Sequence, residues 1–269
     1  MTTSSSTFMA TDGDGYELTM GRWSRRLALP FLDFAGTKDG ETVLDVGCGT
    51  GSLAFALTKR CPRSSVRGVD FSSAYVDHAR KKNRDPGVAF EVGDACALSF
   101  PDRSFDRVLS LLMLHFVPKA DLAVAEMRRV ARPGATVAAA VWDARGGLVA
   151  NRILFDTAAA LDPRANARRA RNFTRPMTRP GELAKAWTTA GFVDVEQTSL
   201  TIRMEFASFD DYWRPHTGKE GPTAEYVASL TDPERAKFRE TLRLAYLDGE
   251  DDGPRSYAAS AWAVKGRTP

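Results

Sequence analysis

The sequence predicts an α/β fold, a mostly parallel sheet buried on both faces by helices. Short, nearly continuous apolar runs at residues 42–46, 65–70, 88–92, 105–111 and 135–142 alternate with stretches of helical periodicity, the rhythm of a parallel sheet covered on both sides. The first run passes straight into three glycines on alternate positions, Gly47, Gly49 and Gly51. Leu53, Ala54 and Leu57 then resume at helical spacing, which makes a strand, a tight turn and a helix start. No internal repeat interrupts the pattern, and 269 residues suit a single large domain, 1–269, with an elaborated cap.

Each element has a local cause. Residues 1–14 are small and polar and are expected as a disordered tail. Residues 15–41 read as an N-terminal helical flap: Met20, Trp23, Leu27 and Phe31 recur every three or four residues from about Tyr16 to Phe34, and Pro30 is expected to divide the helix. The core, 42–143, begins with the first strand and the glycine turn. Its next helix, 52–60, is stopped by Cys61-Pro62, and Ser72 and Ser73 can cap the helix that follows the second strand. After the fourth strand, 120–131 is helical and Arg132-Pro-Gly134 ends it before the fifth strand.

Beyond Asp143 the rhythm changes. Residues 144–179 are rich in turns and arginine (Arg164, Arg168, Arg169, Arg171, Arg175 and Arg179) and lead to a helix at 180–190 and a sixth strand at 193–206. Helical patterns fill 207–255, notably 232–247 behind the capping signal Thr231-Asp-Pro-Glu234. A last strand, within 256–269, contains Ala261-Trp-Ala-Val264. Segments 144–190 and 207–255 are expected to form a lid over an acceptor site.

Composition narrows the function. Hydrophobic residues make up 43% and charged residues 26%, ordinary for a globular chain that needs no staples. A net charge of +3 is too small to make the whole surface a nucleic-acid ligand. The three cysteines, Cys48, Cys61 and Cys96, form no CxxC pair and no Cys/His cluster, so they read as packing residues in a reducing compartment, with no metal site. No secretory leader and no apolar run near the roughly 18–20 residues of a membrane span is visible, so the expected location is cytoplasmic. Nothing in the sequence sets an oligomeric state.

Chemistry should lie outside the carboxyl ends of the strands, where the strand order reverses. Glycines there admit positive φ and let a ligand approach the backbone at a helix N-terminus. Asp70 closes the second strand about 20 residues beyond Gly51, the distance at which an acid accepts from ribose hydroxyls in dinucleotide-type sites. Asp94 closes the third strand, where a carboxylate beside a backbone N–H can read an adenine edge; alone it would pass for a turn residue. A nicotinamide or flavin enzyme competes, but its G-x-G-x-x-G places glycine where Ser52 stands, and a pyrophosphate sits poorly beside Asp45. The pattern favours a ligand with an amine.

The run Leu44-Asp-Val-Gly-Cys-Gly-Thr-Gly51, then Val69-Asp-Phe-Ser72, Gly93-Asp-Ala95 and Phe105-Asp-Arg-Val-Leu-Ser-Leu111 resembles the class I S-adenosylmethionine-dependent methyltransferases. Arg128-Arg-Val-Ala-Arg-Pro-Gly134 resembles their fourth helix and following turn, and the nearest branch is that of ubiquinone/menaquinone-biosynthesis-type enzymes. The resemblance implies a Rossmann-like sheet of seven strands, mostly parallel with an antiparallel last strand, and S-adenosylmethionine as cofactor, leaving S-adenosylhomocysteine. It implies that Gly47, Cys48, Gly49 and Gly51 lie against the methionine part with Asp45 on its amine, that Asp70 takes the ribose, and that Phe71, Asp94 and Ala95 meet the adenine. The Ser110–Leu111 backbone would approach the amino-acid end.

The acceptor is expected to be a small molecule with an O, N or C nucleophile, because no RNA-binding module with interleaved aromatics accompanies the arginine stretch. An RNA-directed methyltransferase using 164–179 and a non-catalytic cofactor-binding partner protein are the alternatives. Arg22 either pairs with the cofactor carboxylate or is solvated. His115 either orients the acceptor or acts as base, or else is a histidine satisfied by its surroundings. Trp142 is pocket wall or lid packing, and Tyr212, Trp213 and His216 are candidates to line the acceptor pocket.

Overall fold

The computed structural model describes residue 7, residues 10–218 and residues 220–269. Seven strands form one sheet: β1 (Thr42–Val46), β2 (Ser65–Asp70), β3 (Val88–Val92), β4 (Phe105–Leu111), β5 (Ala131–Trp142), β6 (Val193–Phe206) and β7 (Arg255–Arg267). Their order is β3-β2-β1-β4-β5-β7-β6. The first five strands run parallel, with Asp45 level with Gly68 on one side and Leu109 on the other. β7 enters antiparallel between β5 and β6, so the strand latest in sequence is internal and β6 forms the edge. The strand order reverses beside β1, which makes the carboxyl ends of β1 and β4 the natural ligand crevice.

Alternation within the strands divides the core. On one face Val43, Leu109, Ala138, Ala261 and Ala263 pack under α2 (Arg22–Ala35) and α3 (Ser52–Arg60). The other face sets Leu44, Val108, Val137 and Val264 against α5 (Ala120–Val130) and α8 (Glu182–Thr189), α4 (Ser73–Lys82) having intervened in the chain beside β2 and β3. Fully buried Trp187 of α8 donates from Nε1 to the Val137 carbonyl at 2.9 Å. Residues 182–189 therefore belong to the sheet's own cover, and the first insertion ends sooner than the expected 144–190.

That insertion comprises α6 (Val149–Leu161) and α7 (Ala165–Phe173); the second holds α9 (Phe209–Trp213), α10 (Gly221–Ala228) and α11 (Asp232–Leu247). The Thr231/Glu234 capping box that starts α11 is formed. The root of the first insertion is tied to β7 by Asp143 N–H to the Ser260 carbonyl and Ser260 N–H to the Gly147 carbonyl.

The N-terminal region differs from expectation. Residues 1–6, 8 and 9 of the expected 1–14 tail lie outside the described residues. Within 10–14 the chain is bonded: Ser72 donates to the Ala10 carbonyl, and Asp12 caps α1 (Gly13–Tyr16). A π-helical turn, Glu17–Gly21, then joins α1 to α2. Pro30 does not divide α2, because one stripe of Trp23, Leu27, Phe31 and Ala35 is buried on both sides of it. β5 begins at Ala131 rather than Ala135, with its register against β4 shifting between Phe105 and Arg107.

Candidate cofactor and acceptor site

β1 ends in the glycine turn. Gly47 has φ +76, and a Cβ there would lie 2.3 Å from Met113 Cγ, so no larger residue fits. Gly49 has φ +54 and faces open space. Most N–H groups of the turn are already engaged: those of Gly47 and Cys48 donate to the Val69 carbonyl, that of Gly51 to Cys48, and that of Gly49 to Asp70 Oδ2 at 2.9 Å. A phosphate would find few donors here, contrary to a simple helix-terminus cradle. Gly51, with φ +90, is the N-cap of α3, and buried Cys48 fills the space beside Gly68.

The carboxylates carry the electrostatics. Asp45 is 1% exposed and neither oxygen has a hydrogen-bond partner among the described residues. Burial first, and the nearby Asp70 second, push its pKa up to about 8. Asp45 borders a small cavity with Tyr16, Gly47, Cys48, Gly49, Ser52 and Leu111, where an ammonium group would complete it. Asp70, 7% exposed, accepts from Gly49 N–H through Oδ2 and from Ser72 N–H through Oδ1 at 3.0 Å. Burial raises its pKa against the opposing pull of those two bonds. Each oxygen keeps acceptor capacity for a hydroxyl. Beside it a narrow slot is lined by Phe71, Gly93, Asp94, Ala95, Met113 and Val117.

From Asp70, Phe71 and the glycine turn the main cavity continues past Leu112, Met113 and His115 to Trp142, Leu148 and the lid, where Asn151, Asn172, Arg175, His216 and Thr223 complete it. His115 is 4% exposed, its Nδ1 has no partner among the described residues, and burial, with Arg175 adding, lowers its pKa to about 3. It is a neutral imidazole. His216 is held by Thr223 at 2.9 Å and lowered by burial to about 4. Glu220 closes one side: its Oε1 accepts from Thr11 N–H and Oγ1, and its Oε2 from Tyr75, which ties the N-terminal segment and α4 to the second insertion.

Residues 43–134 match the family described as a methyltransferase domain. The chain is 38% identical over 96 residues to a fatty-acid O-methyltransferase of Mycolicibacterium smegmatis, covering 36% of this chain and 35% of that protein. It is 35% identical over 120 residues to a ubiquinone/menaquinone biosynthesis C-methyltransferase of Desulfotalea psychrophila, covering 44% and 47%. The matched stretch thus spans well under two thirds of either relative. Among solved structures, a Haemonchus contortus phosphoethanolamine N-methyltransferase in complex with S-adenosyl-L-methionine is similar in fold, with a TM-score of 0.60 at 17% identity, covering 96% of this chain and 57% of that one. Residues 43–134 thus carry a methyltransferase domain.

The site fits S-adenosylmethionine on its own evidence, since an orphaned buried carboxylate, a glycine cradle and a second, hydroxyl-ready carboxylate stand together. Most of the expected residues gather there: Asp45, Gly47, Cys48, Gly49, Asp70, Phe71, Asp94, Ala95 and Leu111 line connected cavities, as do His115, Trp142 and His216.

Four do not. The Arg22 guanidinium binds both oxygens of Asp211 at 3.1 and 3.2 Å and lies over the rings of Trp23 and Phe206, so it joins α2 to α9 instead of reaching a cofactor carboxylate. Ser110, expected to approach through its backbone, lines none of these cavities with its side chain, which the alternation of β4 turns to the sheet face opposite Leu109 and Leu111. Tyr212 donates to the Ala150 carbonyl within a cluster of Phe206, Phe209 and Tyr246, and Trp213 stacks on Phe209. Both hold the lid together.

The arginine stretch is largely neutralised from within. Arg164 pairs with Asp162 and Glu234, Arg168 with Glu225, Arg169 with Asp156, and Arg179 with Glu182. Among the described residues no helix is long and apolar enough to cross a membrane. Sequence reasoning missed Tyr16, Met113, Asn172, Arg175 and Thr223. Only Tyr16 carried a signal, as a member of the flap helix; the others reach the cavity through tertiary packing.

Proposed function

We propose that this chain transfers a methyl group from S-adenosylmethionine to an O, N or C nucleophile of a small molecule. The observation that carries the reading is one continuous cavity, running from Asp70 and the glycine turn to a lid-covered, mainly apolar chamber. The cofactor supplies a methyl group on a sulfonium, already activated for displacement. In this reading Asp45 receives the amine, Asp70 the ribose hydroxyls, and Phe71, Asp94 and Ala95 the adenine.

The chain's remaining task is alignment and exclusion of water, which suits displacement at a charged centre. Trp142, Leu112 and Met113 supply apolar walls, and the lid helices shut out solvent. His115, neutral across the physiological range, is fitted to accept a hydrogen bond from the acceptor and orient it. As a base it is weak. The names of the relatives, an O-methyltransferase of fatty acids and a C-methyltransferase, support a small-molecule acceptor.

Calorimetry with S-adenosylhomocysteine and with NADH tests the reading. Saturable binding of the first and none of the second is expected. Labelled methyl from the cofactor should then appear in a component of a metabolite extract. Preference for NADH, or no binding of S-adenosylhomocysteine, defeats the proposal.

A further inference from the structure

The far end of the cavity holds a cation, Arg175, with no counter-ion among the described residues. Arg175 follows α7 in a turn fixed by Thr178, whose hydroxyl donates to the Arg175 carbonyl at 2.8 Å. Its Nε donates to Asn172 Oδ1 at 3.3 Å, and its guanidinium lies 4.3 Å from the centre of the Phe116 ring. No carboxylate among the described residues lies within ion-pair distance. Each nearby acid is committed elsewhere: Glu225 to Arg168, Glu220 to Thr11 and Tyr75, and Asp70 to Gly49 and Ser72.

The rest of the chamber is mostly apolar, with Leu112, Met113, Phe116, Trp142 and Leu148. A guanidinium drawn into such a wall is costly unless an anion meets it, and burial already lowers its pKa to about 10. Stacking on Phe116 and the single bond to Asn172 leave both terminal nitrogens free of partners among the described residues, a planar fork shaped for two oxygens.

We infer that Arg175 is the residue that selects the acceptor, and that the acceptor is a largely apolar molecule bearing an anionic oxygen group such as a carboxylate. This rests on the methyltransferase reading above. The apolar body would lie against Leu112, Met113 and Trp142, while Asn172 keeps the fork in plane.

The test is calorimetry on the full chain saturated with S-adenosylhomocysteine, using two matched pairs: octanoate with octan-1-ol, and phenylacetate with 2-phenylethanol. At least one acid should bind about tenfold or more tightly than its alcohol, the scale of one charge-assisted hydrogen bond. Arg175→Gln should erase that margin without changing the affinity for the alcohol or for S-adenosylhomocysteine, and Arg175→Lys should keep part of it. The inference is overturned if neither acid outdoes its alcohol, or if Arg175→Gln keeps the margin. It is equally overturned if Arg175→Gln weakens S-adenosylhomocysteine, which would give Arg175 to the cofactor's own carboxylate. Should the wild-type chain fail to bind S-adenosylhomocysteine, the methyltransferase reading falls, and the same acid–alcohol comparison without it still decides Arg175.

Discussion

Replacing Asp45 with Asn tests the charge logic of the site most directly. With a pKa of about 8, this carboxyl is about nine-tenths protonated at pH 7 in the free protein. An incoming ammonium group favours the ionised form, so binding S-adenosylhomocysteine should release about 0.9 proton at pH 7 and grow about tenfold tighter per pH unit from 6 towards 8. Calorimetry in buffers of different ionisation enthalpy reads the proton directly. Asp45→Asn should abolish the buffer dependence and bind more weakly.

The same group predicts a stability profile. The folded carboxyl keeps its proton where the unfolded one, with an ordinary value of 3.8, has lost it. The unfolded state therefore binds fewer protons, and stability falls as pH rises through that window. At about 1.36 kcal/mol per unit, wild type should lose about 4 kcal/mol relative to Asp45→Asn between pH 4 and pH 7. Urea melts at pH 4, 5.5, 7 and 8.5 measure it. A stability difference independent of pH, together with a binding enthalpy indifferent to buffer, would refute the reasoning, for Asp45 would then be ionised in the free protein.

Other residues give simpler outcomes. Asp70→Ala should weaken S-adenosylhomocysteine by about 1–3 kcal/mol, the loss of hydrogen bonds to a charged group; unchanged affinity in a titration would mean the ribose lies elsewhere. Gly47→Ala should unfold at lower urea, by about 1–2 kcal/mol from the left-handed backbone alone, with a further loss from the clash at Met113; a midpoint equal to wild type speaks against the cradle. Arg22→Gln should leave S-adenosylhomocysteine affinity within about twofold and lower stability by about 1 kcal/mol or less, since the pair with Asp211 is partly exposed; a large loss of affinity would return Arg22 to the cofactor.

The cofactor half was legible because its determinants are local. Asp45, Gly47, Gly49, Asp70 and Asp94 sit at strand ends, where a few neighbouring residues decide both backbone shape and direction. The acceptor half was not, because its lining is set by which face of a lid helix turns inward. Tyr212, Trp213 and His216 are close in sequence, yet the first two enter an aromatic cluster and only the third reaches the cavity. Arg175 looked like one more arginine in a basic run, and only its place in the cavity wall, with Arg164, Arg168 and Arg169 paired to carboxylates, sets it apart. Arg22 failed for the same reason: its partner Asp211 is remote in sequence.

The insertion of β7 between β5 and β6 has a consequence for synthesis. Until residues 255–267 emerge from the ribosome, β5 and β6 each present an open edge on the side that β7 will occupy. Between the synthesis of β6 and that of β7 the nascent chain thus holds a gap next to the edge of its sheet, with two templates available for mispairing or for capture by a second chain. Alanines 259, 261 and 263 of β7 are fully buried, so the strand that fills the gap is narrow on its covered face. Completion would then resemble the closing of a zip rather than the growth of an edge, and a nonsense mutation between residues 207 and 254 would leave two adhesive borders instead of a slightly smaller protein.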